Sequence, residues 1–309
     1  MRCALVLALA LLGSESCTAA DLPPVGRIVV FGDLRLEAAV RKLLPPIPIS
    51  LGENDGDKLR ETLAMSRLWR QSDLTWVCCE PAGTAILYVG VKATDRRPHL
   101  RPTPAGAVRL DREDLSLYHR LMDRVQEAAA TGQSAEDDSA GHALSGYPPE
   151  RKLQQEIIAR AGGQVAHWRE VALTSSKADD RAAAVHLIPY GPKDQALADV
   201  LMSAVRDPSA LVRNNAVRAI GVLARSTATR SRLRFDPQPL LDLFESVHWT
   251  DWNKASYALL ALIETGDAKL LAEVAKRARQ PLRQIANWPP MHAGPGIAIL
   301  ERIGRANTR

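Results

Sequence analysis

The stretch Asp207-Pro208-Ser209-Ala210-Leu211-Val212-Arg213-Asn214-Asn215-Ala216-Val217-Arg218-Ala219-Ile220-Gly221 constrains the fold more than any other part of the chain. Asp207 can accept from the free amides of a helix start, and Pro208 suits a first-turn position that needs no N–H partner. From there Val212, Ala216, Ala219, Ile220 and Leu223 recur at helical spacing and share one face. A face of that kind has to be buried against another element. The stretch Asp180-Arg181-Ala182-Ala183-Ala184-Val185-His186-Leu187-Ile188 repeats the pattern about 32 residues earlier, within the range of helical arrays.

Similar units lie on both sides. Leu197, Val200, Leu201, Ala204 and Val205 sit at i, i+3, i+4, i+7 and i+8, one buried stripe. Pro239 opens a helix carrying Leu240, Leu243, Phe244 and Val247; Asp251 is placed to cap a helix over 252–265 that Gly266 closes. A further helix with Leu271, Val274, Ala275 and Ala278 is expected to stop at Pro281, and 296–303 reads as one more. This succession from residue 150 resembles the HEAT repeats, which implies an all-α solenoid of stacked helix pairs with Ile220 and Leu201 in the shared core. An irregular helical bundle is the alternative. Such arrays work mostly as binding surfaces and carry no obligatory catalytic group.

Charge divides the chain unevenly. Net charge is about +2 over 21–111, −5 over 112–150 and +8 over 151–309. Arg206, Arg213 and Arg218 concentrate the excess, with Arg225, Arg230, Arg232 and Arg234 following. Because Arg213 and Arg218 lie five apart, they are expected to flank the buried stripe and reach solvent together with Arg206, as a steering surface for a partner. The bland alternative is a solvated face partly neutralised by the acidic segment.

At the other end, Arg2, the apolar run 4–12 and the small residues Thr18-Ala19-Ala20 have the three regions of a secretory signal peptide. The run is too short to span a bilayer, which takes about 20 residues. Export to a periplasmic or outer-membrane-associated location follows as the expectation, with Cys17 in a poor version of a lipoprotein box. Of 40 basic residues 31 are Arg, which together with abundant Ala fits a high-GC bacterial source. Export argues against a nucleic-acid partner. Cys78 and Cys79 are adjacent, and neighbours rarely bond to each other, so no disulfide framework is expected.

Residues 21–94 read as β-α-α-β-β. Arg27-Ile28-Val29-Val30-Phe31-Gly32 is a strand, 34–44 and 57–69 are helical, and 74–79 and 84–91 are strands. Val29 and Val89 are expected to point inward, with Leu43 and Leu68 packing on them. The Val-x-Phe-Gly strand end, the helix with Val40 and Leu43-Leu44, the Gly52–Asp57 turn region and the hairpin ending Ile86-Leu87-Tyr88-Val89-Gly90-Val91 resemble a POTRA domain. That resemblance implies capture of an extended segment along a sheet edge, for which the strand 74–79, with Leu74 and Trp76, is the candidate. No outer-membrane barrel follows, so the role as a barrel's extension does not carry over. The fold class is α+β: a small POTRA-like domain, then an all-α HEAT-type solenoid.

Residues 95–111, with Pro98, Pro102 and Pro104, form an extended link. The segment 112–149 holds a capping helix over 112–130, with Leu117, Leu121 and Val125 as its stripe, and an acidic loop; repeats fill 150–309. The layout resembles exported bacterial HEAT-repeat proteins.

The chain has no Gly-x-x-x-x-Gly-Lys-Ser/Thr, Gly-x-Gly-x-x-Gly, His-Glu-x-x-His or Gly-x-Ser-x-Gly motif. The strongest polar cluster is Glu136-Asp137-Asp138-Ser139-Ala140-Gly141-His142, which lacks the alternating Asp spacing of a calcium loop. No catalytic residue, metal site or cofactor is assigned. The reading is a non-enzymatic scaffold of the bacterial cell envelope that binds a protein through Arg206, Arg213, Arg218, Leu74 and Trp76, its oligomeric state left open. The alternative is a metal-dependent hydrolase or lyase-like enzyme on a HEAT scaffold, using the acidic loop and His142. His186 is expected to pack in the solenoid, and His248, Trp249 and Trp252 between helices.

Overall fold

The computed structural model describes residues 23–50, 55–78, 80 and 83–306. The signal-peptide reading of 1–20, Cys17, Cys79 and residues 52–54 of the turn at 52–57 therefore lie outside the described residues. The described residues divide into two compact units: 23–97 together with Phe244–Trp252, and Pro98–Leu243 together with 253–306.

The first unit is built on β1 (Val25–Gly32), α1 (Glu37–Leu43), α2 (Asp55–Met65), β2 (Gln71–Val77) and β3 (Ala85–Lys92). The strand order is β1-β3-β2, with β1 parallel and β2 antiparallel to the central β3. Every residue of β3 from Ala85 to Val91 is buried, as the unbroken apolar run Ala-Ile-Leu-Tyr-Val-Gly-Val requires of a strand covered on both faces.

On one face, Val25, Val30, Leu74, Leu87, Val89 and Val91 share a core with Val40, Leu44, Leu59, Leu63 and Trp69. Three expected packing residues are displaced. A register irregularity between Val25 and Arg27 shifts the alternation of β1, so Val30 enters this core and Val29 does not. Leu43 and Leu68 are 38% and 58% exposed. The first helix starts at Glu37, which aims Val40 and Leu44 at the sheet; α2 ends at Met65, leaving Leu68 in a turn while Trp69 inserts and donates Nε1–H to the Leu63 carbonyl at 2.8 Å. Cys78 is disulfide-bonded, contrary to the expectation that no disulfide forms.

The opposite face is covered by Phe244–Trp252, a segment expected among the repeats. Trp252 meets Phe31 edge-on at 5.0 Å between ring centroids, and Trp249 meets Tyr88 at 4.9 Å. Gly90 permits the approach, since a Cβ there would fall 2.0 Å from the Val247 carbonyl oxygen. Lys92 Nζ donates to Glu245 Oε2 at 2.5 Å, and His248 Nδ1 lies 3.0 Å from Asp73 Oδ2. Burial would raise the Asp73 carboxyl, but His248 outweighs it and holds it below the usual range.

The second unit is helical: α3 (Arg112–Ala130), a hairpin of β4 (Glu136–Asp137) and β5 (Leu144–Ser145), α4 (Pro148–Thr174), α5 (Ala178–Leu187), α6 (Gln195–Ala204), α7 (Ala210–Arg225), α8 (Gln238–Asp242), α9 (Trp249–Ile263, whose first residues belong to the sheet unit), α10 (Ala268–Arg277), α11 (Arg279–Ala286) and α12 (Pro290–Ala306). Pro281 falls in the first turn of α11, where its missing N–H is harmless, and so starts a helix where a stop was expected. Helix α5 packs on α4 and α7, α6 on α4 and α7, and α3 on α4 and α5. Leu201 and Ile220 are fully buried.

One local device recurs at the heads of α5, α7 and α9. Ser175 Oγ, Asp207 Oδ1 and Ser246 Oγ each accept from the amide two residues on. Arg181, Arg213 and Trp252, each six residues after that side chain, donate to its backbone carbonyl at 2.9 Å. The carbonyls left over by the preceding turn are thus met by a long side chain of the next helix. Residues 98–111 are extended and bonded to the stack: Arg101 N–H donates to Arg206 O at 2.7 Å and Gly106 N–H to Thr174 O at 2.8 Å. Only glycine fits at 106, because a Cβ would sit 2.4 Å from that same Thr174 oxygen.

Candidate functional site

The residues proposed from sequence do not assemble into one surface. Arg213 is 1% exposed, its guanidinium turned back onto the Asp207 and Pro208 carbonyls at 2.9 and 3.0 Å. Spacing five along the helix placed it beside the stripe, but a side chain of that length reaches the unpaired carbonyls of its own helix start and stays there. Arg206 is partly buried, with its backbone carbonyl taken by Arg101. Leu74 is 3% exposed and faces the helices of its unit; its carbonyl accepts from Arg60 Nη2 at 3.3 Å. Trp76 is partly buried on β2, an edge strand of the sheet.

Arg218 belongs to a different arrangement, on the face of α7 between α5 and α9. Its guanidinium is paired with Glu136, the first residue of β4. Two turns on, Arg225 Nε donates to Asp138 Oδ2 at 2.9 Å, and Ser226 Oγ donates to the Ser139 carbonyl at 2.8 Å. The acidic loop is thus laid along α7, held by two carboxylates and one main-chain carbonyl. Its return strand is fixed by Gln154 of α4, which accepts from Ser145 N–H at 2.7 Å and donates to Ala143 O at 3.1 Å.

Two small cavities open along this face. One is lined by His142, His186, Tyr190, Asn215, Arg218 and Val222. The other is lined by Arg218, Gly221, Val222, Arg225, Lys254 and Tyr257, which brings α9 into the site. Lys254 is 6% exposed. Among the described residues its ammonium makes no hydrogen bond or ion pair.

Burial dominates the titration of the site. It pushes the His186 imidazole down to about 3 and the His142 imidazole down to about 4, aided by Arg218 and Lys193 respectively. Tyr190 is pushed up by the same cause. Lys254 is pushed down to about 8 by burial and then by Arg218. At neutral pH the site therefore presents neutral imidazoles and a phenol beside cationic side chains. Glu136 and Asp138, candidate hard-cation ligands by composition, are committed to arginines. Among the described residues no three His, Cys, Asp or Glu side chains gather into a metal-binding group.

No protein-family model matches the chain, and no curated protein matches it in sequence. Among solved structures, a designed armadillo repeat protein aligns over 62% of this chain and 94% of its own at 16% identity with a TM-score of 0.39. A second engineered protein aligns over 62% of this chain and 80% of its own at 15% identity with a TM-score of 0.36. Scores of this size do not establish a shared fold. The helical repeat character rests on the stack itself, with its recurring Ser/Asp and Arg/Trp device.

Proposed function

We propose that the protein is a non-enzymatic, protein-binding scaffold of the bacterial cell envelope, whose helical unit grips an extended segment of a partner protein along α7. The observation that carries this reading is that the face already holds an extended stretch of polypeptide: Glu136 and Asp138 on Arg218 and Arg225, and the Ser139 main chain on Ser226. Carboxylate pairs and a main-chain contact are the elements by which such a face recognises a peptide. The cations that line it, Arg218, Arg225 and Lys254, favour the binding of an acidic segment.

The sheet unit is proposed to be POTRA-like. Its β-α-α-β-β order with a central third strand supports this, and the outer edge of β2 beside Trp76 offers a second place for an extended segment. The envelope location rests on the leader-like residues 1–20 of the sequence.

The test is a photo-crosslinking residue at position 257 in the source cell, compared with one at the exposed Lys269. A protein adduct from the envelope fraction at 257 and not at 269 is the expected result. Adducts equal at both positions, or none at 257, would remove the scaffold reading.

A further inference from the structure

The acidic loop leaves the face it covers with a charge unmet. Three cations line the second cavity, Arg218, Arg225 and Lys254, and the loop supplies carboxylates to the first two only. Lys254 is carried in from α9 and lines the cavity, 6% exposed, with no hydrogen bond or ion pair among the described residues; the Glu136 carboxylate favours its charge only through space. An ammonium with so little exposure and no ion pair gains from an anion seated beside it.

The spacing of the two ion pairs differs between the helix and the loop. Arg218 and Arg225 are two turns apart, about 10 Å along the helix. Glu136 and Asp138 are two residues apart, about 7 Å in an extended chain. The loop spans the pair only by leaving the strand after Asp137, where β4 ends. Its hairpin is only two residues per strand, and besides the two ion pairs it is held by Gln154 and by Ser226.

We infer that Arg218, Arg225 and Lys254 form the recognition site for an extended acidic segment of a partner protein, and that the loop 136–142 occupies it in the free protein as a displaceable internal stand-in. This rests on the scaffold reading above and specifies its ligand. A segment with three carboxylates placed for three cations outcompetes two, and the loop sets a threshold against weaker acidic peptides. Apparent affinity for such a peptide is reduced by the fraction of molecules in which the loop is unseated.

The experiment uses the full chain and a fluorescein-labelled deca-glutamate peptide, read by anisotropy at low salt. Replacing Glu136→Gln with Asp138→Asn should tighten binding about tenfold or more, as expected when a loop seated at least nine-tenths of the time is released. Lys254→Met keeps both ion pairs and removes only the unmet cation; it should leave the melt unchanged or raise it while weakening peptide binding at least about fivefold. Arg218→Gln with Arg225→Gln should abolish it. Unchanged affinity in K254M would overturn the proposal, even if the loop variant proved unfolded. So would a single-stranded decanucleotide binding as tightly as the peptide, since that would mark a general polyanion surface. Persistence of the position-257 adduct in cells carrying R218Q/R225Q would sink this inference while leaving the scaffold reading intact.

Discussion

Arg181 and Asp207, 26 residues apart in sequence, meet as a two-point ion pair with Nε to Oδ2 and Nη2 to Oδ1 both at 2.8 Å. The two side chains are 1% and 0% exposed. Arg101, from the extended segment before α3, adds a third contact to the same carboxylate at 2.6 Å, and the Ser209 amide a fourth at 2.9 Å. Burial would raise the carboxyl of Asp207, but Arg181 and then Arg101 hold it below the usual range. One carboxylate therefore joins two helix starts and the extended segment that runs beside them.

Removing it leaves two guanidinium groups facing a dry gap. Asp207→Ala should cost about 3–5 kcal/mol, the range for stranding a buried charge. Arg181→Met in that background removes the stranded charge along with the bond to the Ser175 carbonyl, so it should cost less than Arg181→Met alone. Urea unfolding followed by circular dichroism measures both; a midpoint unmoved by D207A would show that the network carries no stability.

The histidines set a pH dependence with a definite sign. The folded values of His186, near 3, and of His142 and His292, near 4, lie below the ordinary 6.5. Between those limits the unfolded chain binds more protons than the folded one, so stability falls as pH drops from 6.5 toward 4. The lowered Asp207 acts in the same direction at more acid pH, its contribution being lost as pH falls through its folded value. Melting temperature should decline across that window. His186→Gln should flatten the decline, and a profile identical to wild type would refute the assignment.

Gly90 is the narrowest point of the sheet unit. An added Cβ meets the Val247 carbonyl oxygen at 2.0 Å and the Phe31 ring at 2.7 Å, and the first is backbone that cannot rotate away. Gly90→Ala should destabilise the protein by about 3 kcal/mol or more, toward the upper end for overpacking. Tryptophan fluorescence should shift to the red as Trp249 and Trp252 loosen; an unaltered spectrum and melt would contradict the packing.

Helices α3, α5, α6 and α7 were legible because each buries an apolar stripe with period 3.6, whereas α4 went unread and a stop was expected at Pro281 inside α11. What the period could not show is that α7 is buried nearly all round. Its stripe accounts for Val212, Ala216, Ala219 and Ile220, yet Arg213, Asn215, Val217 and Val222 are buried too, because a helix inside a stack has neighbours on several sides. The site was half visible as opposite charge, an acidic segment before basic repeats. Its assembly was not, since pairing Glu136 with Arg218 takes a contact 82 residues long that no local pattern encodes. The cover of the sheet was hidden for the same reason: Phe244, Trp249 and Trp252 fit a helical stripe as well as they fit a sheet face, and only the approach over Gly90 decides between them.

That cover gives the last prediction. Residues 23–97 contain all three strands and both helices, and on local pattern alone they look able to fold independently. In the structure one face of β1 and β3, with Phe31, Ile86 and Tyr88 fully buried, depends on Phe244, Val247, Trp249 and Trp252 from far along the chain. Three aromatic side chains of about 150–250 Å² each, at about 25 cal/mol per Å², amount to roughly 11–19 kcal/mol as an upper bound. That is comparable with the whole stability of an ordinary domain, about 5–15 kcal/mol. The isolated fragment should therefore bind a hydrophobic dye and lack a cooperative melt. Joining residues 244–252 to its C-terminus through a flexible glycine-serine linker should restore the transition, and the Trp249→Ala version of that fusion should lose most of the gain. A fragment 23–97 that melts cooperatively by itself would show that the second face needs no cover from residues 244–252.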